Sequence, residues 1–340
     1  MKKRLFYLLL AAAVLLSGCT LPGRQTAQRY TVTYLDVFDT VTTVIGFAES
    51  EEVFAQVARD IHDELLRYHQ LFDIYNEYTG IVNLKNVNDA AGSEAVKVDP
   101  AIIALLSSCK EYCALTGGRV NAAMGSVLQL WHQARSEALA DPAAARLPDR
   151  SALEEAAKHT DFDQVLLNEE ESTVRIADPA LRLDVGAIAK GWAAQQVAQN
   201  APTGLLISVG GNVCATGPKA GNEPWVVGIQ NPAGDDYLHT VGISDGCVVT
   251  SGDYQRTYRV DGRDYHHIID PDTLYPSAYF RSVTVICSDS GLADALSTAL
   301  FVLPLAEGMA LAAECGADAM WVTASGEITC TPGFQALIRS

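Results

Sequence analysis

At 340 residues and 49% apolar side chains, the chain is long enough for one large domain or two moderate ones, and too apolar to stay disordered. Its formal charge is −17 with no basic stripe, which argues against a nucleic-acid partner, since phosphate-backbone affinity needs clustered Lys and Arg. A phosphate-bearing ligand would have to be held by backbone N–H groups, by a few placed cations or by a metal.

The first segment reads as targeting rather than fold. Lys2, Lys3 and Arg4 precede an apolar run from Leu5 to Leu16, the pattern of a signal peptide over residues 1–18 and too short for a comfortable transmembrane helix. Leu16-Ser17-Gly18-Cys19 has the form of a lipobox, which predicts lipidation at Cys19 and attachment to the extracytoplasmic face of the cell membrane. An ordinary cleaved signal with a chance cysteine is the plainer alternative. Residues 19–29 are polar and unpatterned, as suits a lipidated tether. Removal of the leader takes away its three cations and leaves a charge of −20.

Residues 30–47 alternate as strands, and a helix follows over about 51–70 with Phe54, Val57, Ile61, Leu65 and Leu66 on one stripe. A second helix runs from Pro100 to Thr116, where Gly117-Gly118 stops it, and a third spans roughly 124–138. Residues 141–148 form a surface connection. Strands are predicted over 164–167, 174–176, 182–185, 205–209, 225–229, 240–243 and 283–286, with helices at about 189–199, 292–302 and 306–315. Asp245-Gly246 and Asp261-Gly262 carry hairpin signals. Hairpins mixed with single helices predict an α+β fold, a mainly antiparallel mixed sheet packed with helices.

Eight cysteines stand at 19, 109, 113, 214, 247, 287, 315 and 330. With Cys19 acylated an odd number remains, none in a C-x-x-C pair, and most lie in apolar strands or helices. They read as small buried apolar residues rather than zinc ligands, with disulfides left open.

Three places carry chemistry. In Leu183-Asp184-Val185-Gly186-Ala187-Ile188-Ala189-Lys190-Gly191 a turn leads into a helix whose free N–H groups favour an anion. Lys190 there opposes the helix dipole, a conflict that a bound phosphate would remove. Without a ligand the same stretch is a corner with an exposed lysine. Asp294 and Thr298 are four residues apart, so a carboxylate and a hydroxyl share a helix face, an arrangement of hard oxygens that suits Mg²⁺. A helix-start aspartate with a packed threonine reads equally from that spacing. In His266-His267-Ile268-Ile269-Asp270-Pro271 alternation sends one histidine to a cleft or the core and its neighbour the other way, and a general base or a satisfied core histidine both fit. Gly210-Gly211-Asn212 adds a tight turn.

Together these places resemble the FAD:protein FMN transferases, the ApbE or thiamine biosynthesis lipoprotein family. Asp184-Val-Gly-Ala-Ile-Ala-Lys190-Gly is similar to the family's D-x-G-G-I-A-K-G pattern. Ser208-Val-Gly-Gly-Asn212, Thr250-Ser-Gly-Asp-Tyr254, His267-Ile-Ile-Asp-Pro271 and Ala293-Asp-Ala-Leu-Ser-Thr298 follow in the family's order. The resemblance implies a catalytic domain over 30–340 that takes FAD as substrate, uses Mg²⁺, and moves FMN onto a Ser/Thr motif of an acceptor protein, a membrane redox subunit. It implies metal ligation by the Ala187 carbonyl, Asp294 and Thr298, and FAD contacts from Phe38, Tyr75, Arg119, Val120, Asn121, Asp184, Lys190 and His266. His267, Lys190 and Asp294 are the catalytic candidates. Three residues depart from the pattern: Asn121 stands for an aspartate, Ala187 for the second glycine, and Leu274 for the glycine after Asp-Pro-x-Thr. Two other functions share these motifs, an Mg²⁺-dependent FAD pyrophosphatase and a non-catalytic flavin-binding lipoprotein.

Overall fold

The computed structural model describes residues 27–340, so the leader, Cys19 and the first part of the tether lie outside the described residues. The strands are β1 (Gln28–Val37), β2 (Thr40–Ala48), β3 (Val96–Lys97), β4 (Val165–Asn168), β5 (Thr173–Ile176), β6 (Leu205–Val209), β7 (Asn212–Ala215), β8 (Trp225–Gln230), β9 (Tyr237–Ile243), β10 (Gly246–Gly252), β11 (Tyr258–Val260), β12 (Arg263–Tyr265), β13 (Phe280–Cys287), β14 (Asp318–Thr323) and β15 (Ile328–Cys330). The α-helices are α1 (Glu51–Phe72), α2 (Leu84–Asp89), α3 (Pro100–Leu115), α4 (Gly125–Ala140), α5 (Arg150–Ala156), α6 (Ala189–Asn200), α7 (Ser290–Val302), α8 (Leu305–Glu314) and α9 (Pro332–Leu337).

Eight strands form the central sheet in the order β1-β2-β6-β7-β10-β13-β14-β15, and each neighbouring pair is antiparallel. Strand alternation splits the core into two layers. Val44, Ile207, Val209, Cys214 and Cys247 face the layer of α1, α3 and α6, and Val249, Val285 and Trp321 continue that face under α7 and α8. Their neighbours Val213, Val248, Ile286, Met320 and Val322 turn to the opposite face, which the β8–β9 hairpin and Phe334 of α9 cover. The period of two in side-chain direction thus lets one sheet bury both faces. A further lobe joins α4, α5 and the β11–β12 hairpin around Trp131, whose indole N–H donates to the Leu274 carbonyl at 3.0 Å.

The helices start where side chains can satisfy free N–H groups. Ser50 accepts from Val53 N–H at the head of α1, Asp99 from Ala101 N–H before Pro100, and Asp289 from Leu292 N–H at α7.

The observed α+β fold, with its antiparallel sheet and packed helices, matches the expected class. Two local expectations fail. Residues 182–185 form no strand beyond a single parallel bridge of Arg182 to Met124. The Asn88 side chain bonds both the N–H and the carbonyl of Leu183, at 2.7 and 2.9 Å, so a side chain replaces the missing ladder. Asp245-Gly246 joins no hairpin either, because β9 stays with β8 while β10 enters the main sheet between β7 and β13. Asp261-Gly262 does close the β11–β12 hairpin, both residues having positive φ.

Candidate active site

Between the helical layer and the α4 lobe lies an open cleft of about 430 Å³. Its wall takes residues from the β1–β2 turn, the end of α1, residues 119–124, residues 184–190, the β6–β7 turn, the end of β10, residues 267–269, and α7. Segments far apart in sequence thus meet because antiparallel strands return their ends to one rim.

The deepest group is Asp294, buried at 5% exposure on the side of α7 that faces α6. Its Oδ2 accepts from the Gly191 N–H at 2.8 Å and from the Asn212 amide at 2.9 Å, with Lys190 Nζ at 3.8 Å. Among the described residues, nothing donates to Oδ1. Desolvation raises its carboxyl above the usual range, against the opposing pull of Lys190 and the two donors. Gly191 is required there: a Cβ would lie 2.3 Å from the Ser290 carbonyl oxygen and 2.5 Å from Asp294 Cβ. Because Gly191 N–H is spent on Asp294, the Ala187 carbonyl loses the donor that a regular helix would give it and lines the cleft without one. Thr298, one turn along α7, lines the same corner with its hydroxyl 3.4 Å from Ser251 Oγ. Asp294, Ala187 and Thr298 thus bring a carboxylate, a main-chain carbonyl and a hydroxyl to the lining of one cleft. All are hard oxygen donors, and the set fits a small divalent cation that keeps part of its shell for phosphate and water. Among the described residues no group of three His, Cys, Asp or Glu forms a self-sufficient metal cage.

Above this corner stand the cations. Lys190, in the first turn of α6, reaches back toward the Gly186 carbonyl at 3.4 Å as well as to Asp294. Arg256 lies on the cleft wall with φ 48°. Sequence reading passed it over, since nothing local in Gln255-Arg256 marks it. His267 lines the cleft between them, with a buried Nδ1 that has no hydrogen-bond partner. Burial first, then the charges of Arg256 and Lys190, push its imidazole down to about 3, so it is neutral near pH 7. His266 points the other way, outside the cleft: its Nε2 lies 2.8 Å from the Ser277 carbonyl and its ring meets Phe301 edge-on. Of the alternating pair, then, it is the satisfied structural histidine and no FAD-contact candidate.

Phe38 and Asp39 form the two-residue β1–β2 turn with φ of 53° and 50°. Two non-glycine residues there carry backbone strain, which the Phe38 N–H bond to His69 Nδ1 at 3.1 Å helps to hold at the rim of the cleft. On the facing wall Tyr75 is 61% exposed, its hydroxyl 2.8 Å from His132 Nδ1, which lies 3.9 Å from Asp184 Oδ2. Asp184 also accepts from Gly186 N–H at 2.9 Å, fixing the turn into α6. His132 is a second residue that sequence reading missed.

Arg119 pairs with Asp272 and lies 3.8 Å from Asp270, and Val120 is packed beside it. Asn121 lines the cleft, but its amide is already committed, accepting from Ala123 N–H and donating to the Thr160 carbonyl, both at 2.8 Å. An ionised aspartate could do only the first.

The model of the ApbE family matches residues 29–321, a span that contains every cleft residue named above. An FAD:protein FMN transferase of Treponema pallidum (strain Nichols) is 36% identical over 277 residues, 75% of this chain and 75% of that protein. One from Klebsiella pneumoniae (strain 342) is 32% identical over 282 residues, 78% of this chain and 85% of its own. The crystal structure of the ApbE protein from Thermotoga maritima aligns with a TM-score of 0.82 at 32% identity, over 92% of this chain and 100% of that one. The Vibrio cholerae flavin transferase ApbE gives 0.74 at 22% identity over 92% and 99%, a likeness of fold alone. The chain belongs to the ApbE family.

Proposed function

We propose that this protein is an FAD:protein FMN transferase that joins the FMN half of FAD to a Ser or Thr hydroxyl of an acceptor protein and releases AMP. Its relatives are named FAD:protein FMN transferases. The observation that carries the reading is the buried carboxylate of Asp294, which lines the cleft together with Ala187 and Thr298 and whose Oδ2 is held by the Gly191 N–H and the Asn212 amide. In so acidic a chain a pyrophosphate needs a cation to enter, and Ala187, Asp294 and Thr298 would hold Mg²⁺. Bound there, the metal would neutralise the pyrophosphate and stabilise AMP as leaving group.

The residues divide the remaining work. Lys190 and Arg256 meet phosphate oxygens, Tyr75 and Phe38 offer aromatic faces to the flavin or adenine, and Asp184 holds the turn that presents the Ala187 carbonyl. The acceptor oxygen attacks the FMN phosphorus as the bond to the AMP phosphate breaks, and the hydroxyl proton passes to a base. His267, which lines the cleft and is held neutral there, is the base we assign to that proton. Its basicity rises when an anionic substrate offsets Arg256 and Lys190, which ties proton transfer to a filled site.

Cys19 is the proposed lipid anchor, placing this chemistry on the extracytoplasmic face of the membrane beside a membrane redox subunit as acceptor. Cys19→Ser should end incorporation of labelled fatty acid at the N-terminus, and undiminished labelling would remove the anchor from the proposal. The activity is tested by co-producing a candidate acceptor with the enzyme and reading its mass for added FMN. Transfer should occur with the natural sequence and vanish with Asp294→Ala. Release of free FMN and AMP at equal rates with and without acceptor, with no mass added to it, would make the protein a pyrophosphatase.

A further inference from the structure

Opposite the active cleft, under the far ends of α6 and α7, three cysteines stand side by side on neighbouring strands. Cys247 of β10 is in register with Cys214 of β7 on one side and Cys287 of β13 on the other. The three are not equivalent. Cys287 Sγ turns toward the Asp289 carbonyl at 3.1 Å, whereas Cys214 and Cys247 Sγ lie 3.1 Å from one another. Directly opposed residues of an antiparallel pair have Cα atoms about 4.5–5.5 Å apart, inside the span a disulfide bridges. The sulfurs need to close by only about 1 Å to reach bonding distance.

We infer that Cys214 and Cys247 form a cross-strand disulfide when the chain folds in contact with a thiol–disulfide oxidant. The step breaks two S–H bonds of the protein and the S–S bond of the donor. It forms the Cys214–Cys247 bond, and two electrons and two protons leave on the donor as thiols. The extracytoplasmic location proposed above would supply such a donor, although the pairing itself rests on geometry alone.

Both cysteines are nearly inaccessible, at 1% and 2% exposure, although each borders a cavity of about 140 Å³ shared with Gln195 and Asp245. The hydrogen bond to Cys214, and then burial, hold the Cys247 thiol far above its usual range. Exchange is therefore confined to the folding chain, before the sheet and α6 close over the pair. The position also gives the bond a structural purpose. Two residues before Cys214, Asn212 donates to Asp294, and beside Cys247 Sγ the Gln195 side chain accepts from Ser290 N–H at the head of α7. The bond would staple β7 to β10 directly beneath the two helices that build the cation corner.

The test uses the full chain, denatured and reduced, then refolded in a buffer of reduced and oxidised glutathione. It is alkylated under denaturing conditions without reductant, digested, and analysed by mass spectrometry. The expected product is one species joining the Cys214 and Cys247 peptides, two hydrogens lighter than their sum, with Cys287 alkylated. Cys287→Ala should leave the link intact, and protein refolded in excess reductant should melt about 5 °C below the oxidised product, the scale for a closed loop of this length. Recovery of Cys214 and Cys247 both alkylated, or of Cys247 joined to Cys287, would overturn the inference. Neither outcome bears on FMN transfer, which is measured separately.

Discussion

Gly191→Ala asks whether the approach of α6 to α7 is what builds the cation corner. By helix propensity alone the change should stabilise, by about 0.5–1 kcal/mol. The surroundings reverse that sign. The new Cβ meets the Ser290 carbonyl oxygen at 2.3 Å and Asp294 Cβ at 2.5 Å, atoms of the α7 backbone and root rather than the tip of a flexible side chain. Ordinary contact lies near 3.5–4.0 Å, so the helices must part by about 1 Å, an overpacking strain worth about 1–3 kcal/mol. Parting them stretches the 2.8 Å bond from Gly191 N–H to Asp294 Oδ2. A hydrogen bond to a charged group contributes about 1.5–3 kcal/mol. The net expectation is a loss of about 2–4 kcal/mol in urea unfolding, together with weaker Mg²⁺ binding in a calorimetric titration. If the alanine protein were as stable as the original and bound Mg²⁺ equally well, the helix contact would not be the device described.

Three other outcomes follow. His267 has a folded-state value of about 3 against an ordinary 6.5, so the fold favours its neutral form; that contribution is complete above pH 6.5 and is lost as the pH falls toward 3. Between pH 7 and 4.5 the natural protein should lose about 2–3 kcal/mol more stability than His267→Phe, and parallel curves for the two in urea unfolding would show that His267 is not held neutral. Leu274 holds φ 62° while its side chain is buried at 7% exposure, so Leu274→Gly trades relief of about 1–2 kcal/mol of backbone strain against about 2–3 kcal/mol of lost burial, whereas Leu274→Ala keeps the strain and loses the burial. In thermal melts the alanine protein should therefore unfold first, and the opposite order would contradict a strained Leu274. Lys190→Gln should destabilise the cation-free protein by about 1 kcal/mol, because Lys190 is a charge partner of buried Asp294, and should weaken FAD binding about tenfold. Melts in saturating Mg²⁺ should narrow the stability gap, and a gap unchanged by Mg²⁺ would uncouple Lys190 from Asp294.

What could be read in advance follows the range of the interactions. The β1–β2 pair rests on local alternation and α1, α3 and α7 on local periodicity and caps, and these and α6 emerge near their expected places. Strand order is non-local, so nothing in Asp245-Gly246 distinguishes a hairpin from a crossing between sheets. The 182–185 segment looks like a strand in sequence, but beyond the Arg182 bridge its polar main chain at Leu183 is met by the side chain of a distant residue, Asn88. The motif residues were legible for the same reason as the helices: Asp184 to Lys190, and Asp294 with Thr298, are each short-range arrangements. Arg256 and His132 join the cleft only through tertiary packing, and the facing of Cys214 to Cys247 exists only once register is known. Alternation required His266 and His267 to diverge without saying which enters the cleft; the bond from His266 to the Ser277 carbonyl decides it. Lys190 shows how far a local argument carries. Its conflict with the helix dipole is visible in sequence and demands a negative partner. In the structure that partner is Asp294, 103 positions along the chain from the glycine that follows Lys190. A cation bound to Asp294 would compete with Lys190 for that carboxylate and leave the ammonium to the phosphates.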